Sequence, residues 1–165
     1  MTRLTVYDEQ GAALTDTQDA GAIAATLGGI GVRFERWPAD GHEARVETLR
    51  AEGYGTVDTV SVAPDNPNRE AMRAKFLAEH RHAEDEIRYF LDGSGLFTLR
   101  EADRVYAVLC ESEDLISVPA GMRHWFDMGP SPHFTAIRFF RTPDGWVGDF
   151  TGDPIADRFP RLEPA

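Results

Sequence analysis

The 165-residue sequence predicts a single mainly β domain, a sandwich or barrel with several peripheral α-helices. Short runs rich in β-branched and aromatic residues recur between residues 57 and 150, separated by Gly, Pro or charged turns, as is typical of antiparallel β folds. Helical patterns are concentrated in the first third of the chain. The length suffices for one well-buried core and leaves little room for a second.

The first third, residues 1–56, is expected to be a largely helical N-terminal decoration. An Ala-rich run over 14–27 ends at a Gly-Gly pair, which is a common helix stop, and residues 43–50 form a second possible helix. Residues 57–62 then have the composition of a strand. A third helical pattern covers residues 68–78.

The remaining elements are predicted to be short strands. They cover residues 86–91, 95–100, 105–110, 115–118, 124–128 and 134–140. The sequence Asp-Gly-Ser-Gly at 92–95 predicts a tight hairpin turn, since glycine readily adopts positive φ angles. We therefore expect residues 57–150 to form the core of the barrel and residues 151–165 to form a C-terminal tail.

Composition excludes several classes of partner. The formal net charge of −11 repels nucleic acid and anionic lipid, and no cluster of Lys and Arg compensates for it. The N-terminus lacks the apolar segment of a signal peptide, and no later run is long enough to cross a bilayer. A cytoplasmic protein is expected. The single Cys110 falls within a strand-like run, which favours a buried and inert thiol.

A metal site is predicted by three histidines and one glutamate. On a strand, alternate residues face the same side, so His80 and His82 can point inward together. Glu86 begins the next strand, and His124 follows a Pro-Ala-Gly turn farther along the chain. Three imidazoles and one carboxylate suit a first-row metal such as iron, nickel, manganese, cobalt or zinc. The absence of thiolates argues against a closed structural zinc site.

Two arginines and a tryptophan are further candidates. Arg88 and Arg138 lie in otherwise apolar strands, where a buried guanidinium needs an anionic partner. On pattern alone either could instead be an outward-facing surface residue. Trp146 could cover the barrel mouth as part of the core or contact a substrate.

The ligand spacing resembles the two sequence motifs of the cupin superfamily. His80-x-His82-x-x-x-Glu86, followed after six residues by Gly93, is similar to the first motif, and Pro119-x-Gly121-x-x-His124 to the second. Ala74 stands where the first motif usually opens with Gly, and Met128 where the second often ends with Asn. The resemblance implies a cupin-type β-barrel (jelly roll) spanning residues 1–165.

Longer segments resemble one cupin family, the acireductone dioxygenases of methionine salvage. The similar segments are residues 82–97 (HAEDEIRYFLDGSGLF), residues 118–129 (VPAGMRHWFDMG), residues 31–37 (GVRFERW) and residues 136–140 (AIRFF). The likeness covers about residues 30 to 150. Tyr89 stands where the family often has Phe.

The resemblance implies an enzyme that cleaves 1,2-dihydroxy-5-(methylthio)pent-1-en-3-one with O2. The matching positions make His80, His82, Glu86 and His124 the ligands of one Fe2+ or Ni2+ ion. Arg88 is implied to generate and hold the substrate dianion, Asp85 to relay local conformational change and Glu79 to assist metal incorporation. The implied substrate pocket is lined by Phe76, Tyr89, Phe126, Arg138 and Trp146.

Iron in this family is associated with formate and 4-methylthio-2-oxobutanoate, and nickel with formate, CO and 3-(methylthio)propanoate. The sequence does not choose between the two ions. Two alternatives remain open: another cupin metalloenzyme, such as a different dioxygenase or a sugar isomerase, and a metal-free cupin binding module. The expected partners are the small-molecule acireductone and O2, and the expected state is a monomer.

Overall fold

The computed structural model describes residues 1–162, in which antiparallel strands build two sheets with three α-helices packed around them. The helices are α1 (Ala20–Gly28), α2 (His42–Ala51) and α3 (Arg69–Leu77). The strands are β1 (Arg3–Asp8), β2 (Ala13–Thr17), β3 (Arg33–Arg36), β4 (Thr56–Val62), β5 (His80–Arg81), β6 (Glu86–Glu101), β7 (Arg104–Glu111), β8 (Asp114–Val118), β9 (Arg123–Asp127), β10 (Phe134–Phe140) and β11 (Asp149–Phe150). No helix within residues 1–162 has the length and apolar character to cross a membrane.

The strand order is β11-β5-β9-β6-β7-β1-β2 in one sheet and β4-β10-β6-β8-β3 in the other. The long strand β6 belongs to both, because residues 86–93 pair with β8 and β10 and residues 94–101 pair with β7 and β9. Side chains from both sheets share one core, including Leu4, Phe97, Val108, Val62 and Ile116. The predicted mainly β, cupin-type barrel with peripheral helices is confirmed.

The predicted hairpin turn at residues 92–95 is wrong, because the chain runs through it as part of β6. Gly93 has a φ of +75°, and a Cβ there would lie 1.9 Å from the carbonyl oxygen of His133. A Cβ on Gly95 would lie 2.3 Å from the ring of Phe126. The pairing with β10 also shifts register in this region. These glycines therefore allow a bulge and a close approach as β6 passes between the sheets.

The first third contains the predicted helices α1 and α2 but also three strands, so its interpretation as largely helical decoration is wrong. Strand β1 pairs with β7 and strand β3 with β8, which makes both part of the barrel. Residues 14–17, predicted as helix, belong to β2. Leu4 and Val6 are buried between more exposed neighbours, and an alternation this short is a weak signal in the sequence.

The C-terminal segment packs on the barrel over its described part. Residues 154–158 form a 3₁₀ turn, and Ile155 and Phe159 join Trp125 in a small apolar cluster. Residues 163–165 of the predicted tail lie outside the described residues. Cys110 is buried as expected, and burial holds the pKa of its thiol well above the usual value, which makes it unreactive.

Candidate metal centre

Strand pairing brings the predicted metal ligands to one end of the barrel. His80 in β5 and His124 in β9 are direct cross-strand partners, and His124 also pairs with Leu99 of β6. His82 follows β5, and its carbonyl accepts a hydrogen bond of 2.9 Å from the backbone N–H of Gly121 in the loop before β9. Glu86 is the first residue of β6.

The four side chains converge. One ring nitrogen from each of His80, His82 and His124 lies within 4.8 Å of the others. The Oε1 atom of Glu86 is 3.4 Å from Nε2 of His124 and 3.8 Å from Nε2 of His82. All four residues are buried.

Backbone carbonyls fix the orientation of each imidazole. The Nδ1 atom lies 2.8 Å from the Ala78 oxygen in His80, 3.1 Å from the Val147 oxygen in His82 and 2.9 Å from the Met122 oxygen in His124. A carbonyl can only accept, so Nδ1 must carry the proton in each ring. Each Nε2 atom is then left with its lone pair, the form in which histidine binds a metal.

The electrostatics of the site favour the same protonation states. Burial, followed by the neighbouring His124, lowers the pKa of His80 from 6.5 to about 4, and burial also lowers the pKa of His82. Burial alone would raise the pKa of Glu86, but the charge of Arg88 and the nearby histidines hold it well below its usual value. Near neutral pH the imidazoles of His80 and His82 are thus neutral and the Glu86 carboxylate is ionised.

Two unsatisfied atoms indicate that a cation fits this donor set. Among residues 1–162, Oε1 of Glu86 and Nε2 of His124 are buried and make no hydrogen bond. Leaving such groups without a partner is costly in a protein interior. A metal ion between them, with the other two imidazoles, would satisfy both. The mixture of nitrogen and oxygen ligands without thiolate suits a catalytic first-row metal.

Arg88 borders the ligand cluster on the inner face of β6. Its Nη2 donates to Oε2 of Glu86 at 3.0 Å, and its guanidinium lies 4.9 Å from the ring centroids of both Phe97 and Phe126. The Nε atom is buried without a partner within the described residues. Burial lowers the pKa of Arg88, and the charge of Arg138 lowers it further, but an arginine stays protonated.

The four predicted ligands line a pocket of about 480 Å³. Its lining includes the predicted residues Phe76, Arg88, Phe126, Arg138 and Trp146. Further lining residues, which the sequence did not suggest, are Lys75, Phe97, Val147, Gly148 and Phe150. Both arginines thus face inward, with Glu86 and Asp58 as their acidic partners, and the surface alternative for them is wrong.

The prediction that Tyr89 lines the pocket is wrong. Residues 86, 88 and 90 of β6 face the pocket and core, so Tyr89 points to the opposite side of the sheet. It packs there with Trp37 and Leu49, and its hydroxyl donates to the Trp37 carbonyl at 2.8 Å. A Tyr in place of Phe therefore changes the packing behind the sheet and leaves the polarity of the pocket unaffected.

Asp85 and Glu79 lie outside the pocket lining. The carboxylate of Asp85 accepts a hydrogen bond of 2.8 Å from the backbone N–H of Ala120, in the loop that leads to His124. Glu79 is buried behind His80, where it accepts hydrogen bonds from Thr151 at 2.7 Å and from Arg100 at 3.2 Å. Asp85 can therefore act on the site through the loop that leads to His124, and Glu79 through the adjacent residue His80.

Phe97 and Phe150 were not predicted as pocket residues, for different reasons. The bulge in β6 shifts the alternation of inward-facing residues from even to odd numbers, so Phe97 faces inward as Arg88 and Phe90 do. The Phe97 ring stacks on the His124 ring, with the two centroids 6.1 Å apart. A simple alternation of residues that ignores the bulge predicts that Phe97 faces the other side of the sheet. Phe150 reaches the pocket because β11 pairs with β5, opposite His80. A two-residue strand has no signal in the sequence.

Comparisons with known proteins agree with this arrangement. The model of the "ARD/ARD' family" matches residues 3–148. The chain is 56% identical to an acireductone dioxygenase of Parvibaculum lavamentivorans, covering 99% of this chain and 98% of the relative. It is 53% identical to one from Xanthomonas euvesicatoria, covering 99% and 96%. A solved acireductone dioxygenase from Bacillus anthracis with cadmium in its active centre superposes with a TM-score of 0.81 at 26% identity, covering 91% of this chain and 98% of that one.

Proposed function

The chain belongs to the ARD/ARD′ family of acireductone dioxygenases, and we propose that its pocket holds one Fe2+ or Ni2+ ion through His80, His82, Glu86 and His124. The observation that carries this proposal is the convergence of three imidazoles with Glu86, whose Oε1 atom is buried and unsatisfied. Such an ion would supply Lewis-acid and redox chemistry at this end of the pocket when bound. The substrate class follows from the family: a small acireductone that is cleaved by O2.

Arg88 is assigned to the reacting end of the substrate. An enediol that loses its protons becomes a dianion, and a buried guanidinium beside it stabilises that charge strongly because little water screens the interaction. The unpartnered Nε atom of Arg88 offers a donor for one substrate oxygen. Glu86 keeps the guanidinium oriented through Nη2.

Aromatic and apolar side chains are assigned to the methylthio end. Phe76 and Phe126 meet edge to face with centroids 6.4 Å apart, and Trp146, Val147 and Phe150 are exposed among the pocket-lining residues. An apolar tail bound among these side chains would release water from them. Their coverage would also keep water away from the charged end.

Asp85 and Glu79 are proposed to support the site from outside it. The hydrogen bond from Ala120 to Asp85 links the turn before Glu86 to the loop before His124, so a shift of either segment would move the other. This geometry supports a relay of conformational change. Glu79 sits behind His80 in a buried network with Arg100, which supports a role in forming the ligand cluster during metal incorporation.

The bound metal is proposed to choose the products. We expect the iron form to give formate and 4-methylthio-2-oxobutanoate, and the nickel form to give formate, CO and 3-(methylthio)propanoate. The test is product analysis after anaerobic mixing of acireductone with separately loaded iron and nickel enzyme, followed by O2. No accelerated loss of the enediol absorbance in either form would reject the proposal. Identical products from both forms would reject metal control of the branch.

A cytoplasmic monomer completes the proposal. Of the large apolar side chains that are exposed within residues 1–162, Trp146, Val147 and Phe150 surround the pocket, and Met1 and Leu14 lie apart from it. A stable dimer usually buries a broader continuous patch. Sedimentation at micromolar concentration should give the mass of one chain, and a concentration-dependent dimer would contradict this.

A further inference from the structure

Asp58, Arg138 and Arg88 lie directly opposite one another on three neighbouring strands. Asp58 of β4 pairs with Arg138 of β10, and Arg138 pairs with Arg88 of β6. Directly opposite residues of a sheet point to the same face. The row is completed by Glu86, which accepts the hydrogen bond from Arg88. Two guanidinium groups therefore lie side by side next to the pocket, with one carboxylate at each end.

This arrangement is unfavourable unless each arginine is compensated. Like charges directly opposite one another destabilise a sheet, more so where burial removes the screening by water. Asp58 accepts two hydrogen bonds from Arg138, at 3.0 Å from Nε and 2.6 Å from Nη2. A bidentate pair of this kind fixes the plane of the guanidinium as well as its position.

The fixed orientation leaves one edge of Arg138 for a ligand. Within the described residues its third nitrogen, Nη1, makes no hydrogen bond, and the residue lines the pocket. On another side the guanidinium lies 5.9 Å from the ring centroid of Trp146. Asp58 itself is absent from the pocket lining and would touch no substrate.

We infer that Asp58 is a positioning residue for substrate binding, which holds Arg138 beside Arg88 so that two adjacent guanidinium groups face one anionic substrate. The inference rests on the substrate-binding role proposed for Arg138 above. Without Asp58, repulsion from Arg88 would turn Arg138 toward solvent, to which its side chain is already 18% exposed.

The first test compares Asp58→Asn with Asp16→Asn in the metal-loaded enzyme. Asp16 makes an equally bidentate pair with Arg3 on the surface, so its substitution removes the same charge and the same kind of contact far from the pocket. We expect D58N to raise KM for acireductone about tenfold, the effect of losing one hydrogen bond to a charged group, with kcat within about twofold. D16N should leave both constants unchanged. An unchanged KM in D58N would overturn the inference.

A double-mutant cycle then asks whether Asp58 acts through Arg138. If it does, D58N combined with Arg138→Met should have the KM of R138M alone, and additive effects would overturn the inference. If R138M leaves KM unchanged, the substrate-binding role of Arg138 is wrong and the inference fails with it. If R138M raises KM and D58N does not, only the inference fails.

Two further measurements separate positioning from a general loss of folding. In cadmium-loaded, diamagnetic protein the Nε–H resonance of Arg138, identified by its loss in R138M, should be protected from exchange in the parent and exchange rapidly in D58N. Protection that persists in D58N would overturn the inference. Asp58→Glu keeps the charge and should recover part of the KM loss; a KM in D58E equal to that of D58N, with the protein folded, would contradict the need for a carboxylate.

Discussion

At the scale of single residues, the hydrogen bond made by each Nδ1 atom determines which nitrogen of the imidazole is available to a metal. Three backbone carbonyls accept from Nδ1 of His80, His82 and His124, so the metal-facing nitrogen of each ring is chosen before any ion arrives. Two of these carbonyls, those of Ala78 and Met122, lie two residues before the histidine that they orient, whereas Val147 is distant from His82 in the sequence. The spacing of the histidines in the sequence predicted the ligands, but their protonation follows only from the folded backbone.

Removal of one ligand should remove the metal. His124→Ala deletes the imidazole that lies 3.4 Å from the unsatisfied oxygen of Glu86, and we expect its metal content to fall far below one ion per chain. His133→Ala is the matched control, since His133 is an exposed residue paired with Asp92. Elemental analysis of both purified variants checks this. Full metal occupancy in H124A would show that the ion does not bind there.

Loss of the buried guanidinium should slow the reaction without removing the ion. Arg88→Ala takes away the cation that we propose to lie beside the substrate dianion, and kcat/KM should fall about a hundredfold or more, as for the removal of one preorganised donor. Metal content and turnover are measured on the same sample, so that a loss of metal through the freed Glu86 is detected separately. Turnover within about threefold of the parent, at equal metal content, would rule out this role.

At the scale of elements, the bulge in strand β6 limits which inward-facing residues could be predicted from the sequence. The alternation that places Glu86 and Arg88 inward holds up to Phe90, and the bulge near Gly93 then moves the inward positions to Phe97 and Leu99. The glycines of residues 92–95 are equally typical of a hairpin turn and of a bulge. Only the pairing partners on both sides, which are distant in the sequence, distinguish the two.

The barrel as a whole was predictable because most of its strands are short runs of β-branched and aromatic residues bounded by turn residues. Strands β1, β2, β3 and β11 were missed because they are stabilised mainly by pairing with other strands, and their own composition is only a weak indication of a strand. The same dependence on tertiary contacts explains why Phe150 was not predicted as a pocket residue.

The close approach at Gly95 gives a test of this element. Gly95→Ala would place a methyl group where the Phe126 ring now lies, and overpacking of this kind costs about 1–3 kcal/mol of the free energy of unfolding. The displaced ring also lines the pocket, so KM should rise. Gly28→Ala is the control, because nothing lies within 4 Å of its added Cβ at the end of α1. Urea denaturation of both variants measures the difference, and equal stability would contradict the tight packing.

At the scale of the whole molecule, the acidic charge and the buried histidines respond to pH in opposite senses. As the pH falls and carboxylates are protonated, the net charge becomes less negative than the formal −11, which reduces repulsion across the surface. The metal site behaves differently because burial lowers the pKa of His80 and of His82. Acidification is therefore expected to lower the stability of the metal-free fold, because it protonates buried histidines of the functional site.

Metal-free protein should therefore lose stability in a defined pH window. The pKa of His80 is about 4 in the folded chain against 6.5 in an unfolded one, so the unfolded chain binds more protons between these values. Stability from this group is fully present above pH 6.5 and is lost as the pH falls toward 4. Between pH 7.5 and 4.5 the loss should be about 2–3 kcal/mol.

Urea denaturation of the metal-free parent and of His80→Gln at both pH values isolates this contribution. Glutamine cannot be protonated, so the variant should lose less stability than the parent by that amount, and the carboxylates common to both cancel in the difference. Equal losses would mean that His80 is no harder to protonate in the folded chain than in the unfolded one. The burial that keeps its lone pair available for a metal would then have no energetic consequence.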